Sequence, residues 1–272
     1  MFRIRLLPTL LLAAAGTGCV GTTTPQVRDG TVGGFDEVTV TLATWFPEAD
    51  TRLTANGVKT KLDTDLTDAF DVGEVSLNGR VEMWEGDWGY IIDATYLDMS
   101  GDSSVSSGRL SSHVRDDTID FLVAQRYPLT EASDEAPATT AMISGGLRYR
   151  SQDTRVSPFA GPGSSESHDW IEPVIGAGLH LPTSDSFSFT VRGDMSGFDL
   201  GAGSHRTWNA FAGGAVNLDV SNTITFGWRV YDVDFSRGSG AGEHAMNGTF
   251  SGPMLGWNFA FVAGSSMLSD QL

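Results

Sequence analysis

From residue 35 to residue 262 the chain repeats one device, segments of about ten residues in which apolar and polar side chains alternate between turn residues. Alternation with period two describes a strand with two unlike faces, whereas a helix carries its apolar residues three and four apart. Ten strands are predicted, over residues 38–46, 75–84, 88–98, 117–127, 140–150, 170–181, 186–197, 207–218, 223–234 and 249–262. In the last, Leu255, Trp257, Phe259 and Phe261 oppose Gly256, Asn258 and Ala260. In the ninth, Ile224, Phe226, Trp228 and Val230 oppose Thr225, Gly227 and Arg229. Residues 85–87, 182–185 and 221–222 make tight connections, while 47–73, 99–115, 151–169, 200–206 and 235–246 make long ones. The connection 130–139 is long where that rhythm asks for a short one. Closure into an up-and-down barrel needs an even number of strands, so eight is the alternative to ten.

Alternation alone does not say which face points inward, and a soluble lipocalin-like barrel would give the same string. Lysine decides against that arrangement, being confined to Lys59 and Lys61 beside fifteen arginines. A solvated sheet face normally carries lysine, whereas arginine suits enclosed, bidentate ion pairs. Trp45, Trp84, Trp88, Trp170, Trp208, Tyr96, Tyr127 and Tyr231 stand near strand ends, where interfacial girdles form. The fold class expected is therefore all-β, a single antiparallel up-and-down transmembrane β-barrel over residues 35–262.

The start of the chain carries Arg3 and Arg5, an apolar run at 6–15 and small residues at 13–18, the pattern of a secretory signal peptide over 1–18. Cys19 is the sole cysteine. Either a lipoprotein peptidase cuts before it and its thiol is acylated, or ordinary cleavage leaves it without a role; no intrachain disulfide can form. Residues 19–34 read as a flexible tether and 263–272 as a tail. Net charge is −17, and loss of Arg3 and Arg5 with the leader makes it −19. That acidity argues against nucleic acid as a partner.

The polar parity collects Arg80, Arg126, Arg148, Arg150, Arg192 and Arg229 with Glu82, Asp93, Asp120, Glu172 and Asp194. Six positive and five negative groups nearly cancel, which predicts an ion-pair network across a narrow lumen, since unpaired charges are costly to enclose. A closed structural or surface-interaction barrel follows from that balance; a narrow porin-like channel for small polar solutes is the alternative.

Gly227-Trp228-Arg229-Val230-Tyr231-Asp232-Val233-Asp234-Phe235, Gly252-Pro253-Met254-Leu255-Gly256 and Asn258-Phe259-Ala260-Phe261 resemble a family of small bacterial outer-membrane β-barrel proteins, OmpA-like or porin-like in form. Gly86-Asp87-Trp88-Gly89-Tyr90 and residues 192–198 fit the same family. The resemblance implies a Gram-negative outer membrane, with its lipid, lipopolysaccharide and the barrel-insertion machinery as partners. It brings no catalytic motif and no cofactor. Residues 262–272 trail beyond Phe261, where many such barrels end on the terminal aromatic.

A lipid- or peptide-cleaving enzyme would need a base, and the long-loop side offers His113, His168, His205 and His244 with Asp116, Asp117, Asp153, Asp169, Asp232 and Asp234. His168 with Asp169 is the leading pair, yet no enzyme motif is matched, so no catalytic residue is assigned. The histidines lack the close spacing of a zinc site, and Asp98, Asp102, Asp116 and Asp117 lack EF-hand spacing for calcium, so no metal is expected. Residues 51–62, with a helical turn at 65–71, are expected to form a small cap outside the barrel.

Overall fold

A computed structural model describes residues 34–67, 76–105, 108–131, 138–158, 163–198 and 204–262. The leader, Cys19 and the tail lie outside the described residues. The strands are β1 (Glu37–Trp45), β2 (Glu48–Ala55), β3 (Val58–Thr64), β4 (Ser76–Glu85), β5 (Trp88–Val105), β6 (Gly108–Pro128), β7 (Thr140–Pro158), β8 (Ser164–Ser184), β9 (Phe187–Ser196), β10 (Ser204–Asn217), β11 (Asn222–Arg237) and β12 (His244–Val262). Neighbours pair antiparallel in the order β1, then β4 through β12, and β12 pairs back onto β1 with Val40 opposite Phe259. Ten strands thus close a barrel, and the hairpin β2–β3 is an eleventh and twelfth strand added to the upper part of β12.

The closed wall turns its apolar parity outward. Ile171 is 66 % exposed, Leu77 58 % and Phe121 57 %, in a belt continued by Ile143, Phe226 and Leu255. Such a surface is stable against hydrocarbon and unfavourable against water, so the chain is a transmembrane barrel of the outer-membrane type. The short-turn end, periplasmic in such barrels, holds the first residue of β1, the last of β12 and the turns at Gly86–Asp87 and Asp185–Ser186.

The long connections are shorter than the sequence suggests, because the strands run on. At 21 residues, β6 and β8 contain about 65–70 Å of extended chain, far more than a belt of about 25 Å requires even when tilted. Most of 99–115 and 151–169, and both ends of 235–246, are therefore strand projecting beyond the lipid.

The expected cap is a hairpin, and it lies across the barrel mouth rather than outside it. After Trp45 the wall strand bends at Phe46-Pro47, and β2 runs along β12 from Glu48 opposite Ser251 to Thr54 opposite Ala245. The approach is close: a Cβ on Gly252 would stand 2.0 Å from the Phe46 carbonyl oxygen, and one on Gly248 2.3 Å from that of Asp50. Asn56 and Gly57, both at positive φ, make the two-residue turn to β3. The turn reaches the far wall, where Asn56 Nδ2 donates to Ser164 Oγ at 2.6 Å. Beside β5, Thr60 shares a hydrogen bond with Ser103 at 2.7 Å. Leu66 and Thr67 begin the expected helical turn, and the rest of that turn is outside the described residues.

Candidate functional site

The interior is layered along the barrel axis. Its middle layer is built on β7, whose inward side chains include Arg148 and Arg150. Arg148 grips Asp120 with two bonds of 2.7 Å, reaches Asp194 at 2.9 Å and donates to Ser196 Oγ at 3.1 Å. Ser196 Oγ in turn donates to Glu172 at 2.7 Å, and Trp170 donates to the other Glu172 oxygen at 2.8 Å. Arg150, 1 % exposed, holds Asp116 through Nε at 2.8 Å and Nη2 at 2.5 Å, while Tyr231 donates to the same carboxylate at 3.0 Å. The planar guanidinium fork is what allows each arginine to saturate a carboxylate from the neighbouring strand. Asp116, assigned to the loop side from sequence, is thus part of this layer.

Toward the periplasmic end the pairing loosens. Arg80 bonds Glu82 at 2.6 Å and Asp93 at 2.8 Å. Arg229 lies over the Trp45 ring at 4.8 Å and donates to Asn209 at 2.8 Å and to Asn78. Arg126 stands at the rim, not in the central group, paired with Glu37 at 3.0 Å and stacked on Trp84 at 4.1 Å. Arg192 has no carboxylate within 4.0 Å among the described residues; its nearest ring is Phe211 at 5.3 Å. It stands between a small cavity of about 60 Å³ in the charged layer and a larger one of about 870 Å³ below it. Thr41, Thr190, Asn217, Thr225 and Asn258 line the larger cavity together with apolar side chains that include Ala43, Phe211, Ala215 and Met254.

Above Arg150 an apolar core sits beside buried polar side chains that include Gln152, Thr154 and His244. Leu53 and Leu62 from the hairpin pack with Leu97, Met99, Val114, Val233, Phe235, Met246 and Phe250 of the wall, all fully or almost fully buried. The belt's chemistry is therefore inverted along β5 and β6, where Leu97, Met99 and Val114 face inward while Asp98, His113 and Arg115 face outward.

Several sequence expectations change with this geometry. Trp45, Trp84 and Tyr231 are buried and Trp170 packs against the inner core, so these four face the interior and not an interfacial girdle. Trp88, Tyr127 and Trp208 do face outward, joined by Tyr90 and Trp257. His168 and Asp169, adjacent on β8, point to opposite faces. His168 instead meets Glu166 and His244, a grouping across 76 residues of sequence. Asp116 points inward while Asp98 and Asp117 hold His113 and Arg115 on the outer face, so these aspartates are divided between two surfaces. The His205 side chain lies outside the described set.

No family model matches the chain, and no curated protein matches it. Among solved structures, the outer-membrane protease OmpT of Escherichia coli is similar over 83% of this chain and 97% of its own, with 9% identity and a TM-score of 0.46. The translocator domain of the autotransporter NalP of Neisseria meningitidis is similar over 82% and 88%, with 12% identity and a TM-score of 0.45. The attachment invasion locus protein Ail of Yersinia pestis is similar over 84% and 99%, with 15% identity and a TM-score of 0.38. The barrel assignment itself rests on the closed strand register and the outward apolar belt.

Proposed function

We propose that this chain is a structural, surface-presenting barrel of the bacterial outer membrane whose lumen is kept closed. The observation that carries this reading is the hairpin β2–β3 lying across the mouth above the arginine–carboxylate layer. A solute entering from the periplasmic cavity would have to displace Arg148 and Arg150 from their carboxylates and then cross an apolar core. Removing one partner from a buried ion pair costs about 3–5 kcal/mol, so spontaneous opening of both layers is rare. Export by residues 1–18, and acylation of Cys19 as one of its two outcomes, belong to the same proposal. The outward faces of His113, Arg115 and Arg155 above the belt suit lipopolysaccharide phosphates, and the belt suits lipid. Insertion by the barrel-assembly machinery would use β12.

The second reading, a narrow channel for small polar solutes, is favoured by the periplasmic cavity of about 870 Å³, into which Arg192, Thr41 and Asn258 reach. Planar-bilayer recording on refolded protein with a heat-modifiable gel band separates the two. Silence supports the closed barrel; discrete, steady steps in the unmodified protein overturn it and leave the channel. A catalytic reading rests only on rim histidines, and unchanged turnover of a lipid or peptide substrate after His168→Ala and His205→Ala together would remove these two as its candidate catalytic residues.

A further inference from the structure

We propose that Glu166, His168 and His244 form a binding site for a divalent transition cation of the zinc class, which ties β8 to β12 beneath the tip of the hairpin. Glu166 and His168 are two apart on β8 and share its inward face, and His244 opens β12 on the other side of the mouth. Their ligand atoms all lie within 4.8 Å of one another. His168 Nε2 stands 3.3 Å from Glu166 Oε1, and His244 Nδ1 stands 3.6 Å from Glu166 Oε2. A tetrahedral ion with bonds of about 2.1 Å spaces its ligands by about 3.4 Å, so little movement is needed.

The second observation is a concentration of unpaired polar atoms. Eleven buried side-chain atoms among the described residues lack a hydrogen-bond partner, and six belong to this patch: Glu166 Oε2, His168 Nε2, both His244 ring nitrogens, Gln152 Oε1 and Thr154 Oγ1. Gln152 lies directly opposite His168 and Thr154 directly opposite Glu166 on β7. Buried polar groups are normally satisfied, and a cluster of exceptions asks for a missing partner. His244 is 1 % exposed, edge-on to the His168 ring at 4.8 Å and to Phe235 at 5.2 Å.

Two imidazoles and a carboxylate suit zinc, with cobalt, nickel and copper as chemical relatives, and leave a fourth position for water. The hairpin tip encloses the site from both sides, through Gly57 N to the Glu243 carbonyl at 3.0 Å and Asn56 to Ser164 at 2.6 Å. Beyond Pro173, β8 has no strand on its β9 side among the described residues, so a metal bond to β12 would fasten an otherwise single-sided strand.

The test uses untagged full-length protein refolded in detergent, stripped with chelator and titrated with Zn²⁺ by calorimetry, with Co²⁺ absorption as a second readout. One ion per barrel and a tetrahedral Co²⁺ spectrum are expected. His168→Ala and His244→Phe should each weaken Zn²⁺ binding more than about 100-fold, beyond the range typical of substitutions around a metal's ligands. Glu166→Gln preserves shape and should weaken it at least about tenfold by the same comparison. The heat-modifiable gel band verifies that each variant is folded, and His113→Ala on the outer face should bind as the parent does. Absence of stoichiometric binding, or binding unaffected in folded Glu166→Gln and His168→Ala barrels, overturns the site.

Discussion

The two ends of this barrel's interior obey the same strand parity and have opposite contents. Toward the extracellular end, saturated arginine–carboxylate pairs lie under an apolar core to which the hairpin contributes Leu53 and Leu62. Toward the periplasmic end, a cavity of about 870 Å³ is lined by Thr41, Thr190 and Thr225 with Phe211, Ala215 and Met254, and Arg192 faces it without a carboxylate at bonding distance among the described residues. A barrel of ten strands is too wide for its own wall side chains to fill everywhere. The sealed half is filled by importing a second layer of chain; the other half is left to water. Stability should therefore be stored unevenly, and substitutions of the same chemical kind should differ between the ends.

The largest difference is expected between two arginines. Arg150→Met strands Asp116 in a buried layer and should cost about 3–5 kcal/mol. Arg192→Met removes a charge with no carboxylate within 4.0 Å among the described residues and should change stability by less than about 1 kcal/mol. Equilibrium urea unfolding in detergent, followed by tryptophan fluorescence, compares them; equal losses would break the distinction between the ends. Next comes packing. Leu53→Ala should cost about 2–5 kcal/mol because the core around it has little room to collapse, whereas Thr41→Ala at the cavity should cost under about 1 kcal/mol. The same contrast can be read chemically in a Cys19→Ser background. Thr41→Cys should react with a small maleimide from the cavity side, and Thr51→Cys, fully buried, should remain unmodified until the hairpin is displaced.

The belt was readable from the string because its two faces differ in one constant sense: Ile171, Phe121 and Leu255 outward, Glu172, Asp120 and Gly256 inward. Above the belt the register continues without a break, but the chemistry changes faces. On β5, Asp93 and Thr95 are followed on the same inward parity by Leu97 and Met99, while Tyr96 is followed outward by Asp98. A reader following one apolar face loses it there and takes the strand for a loop. That inversion hid the upper strands, the place of Asp116 and the meeting of His168 with His244. Tyr231 was legible in principle, since it shares parity with Arg229 and not with the outward Val230. Asn56-Gly57 was also legible, being a strong signal for a two-residue hairpin turn between alternating segments. What the sequence could not supply was the partner of that hairpin, because pairing with β12 depends on a contact some 200 residues away.

The smallest effect sharpens the comparison from the solvated side. In the turn between β10 and β11, Asp219 accepts hydrogen bonds from Ser221 N at 2.8 Å and from Asn222 Nδ2 at 2.9 Å. The Asn222 side chain first, and then the Ser221 backbone, hold the Asp219 carboxyl below its usual range. A depressed carboxyl stabilises the fold above the ordinary aspartate value of about 3.9, and that contribution disappears as pH falls through the lower folded value. Asp219→Ala should therefore lower the unfolding midpoint slightly at pH 7, and the gap from the parent should close in strong acid. Because the turn is open to water, the gap should stay far below that of Arg150→Met. A gap that persists undiminished in acid would mean the turn depends on Asp219 for something other than its charge. A gap as large as that of the buried pair would mean that the periplasmic end carries as much of the barrel's stability as the sealed one.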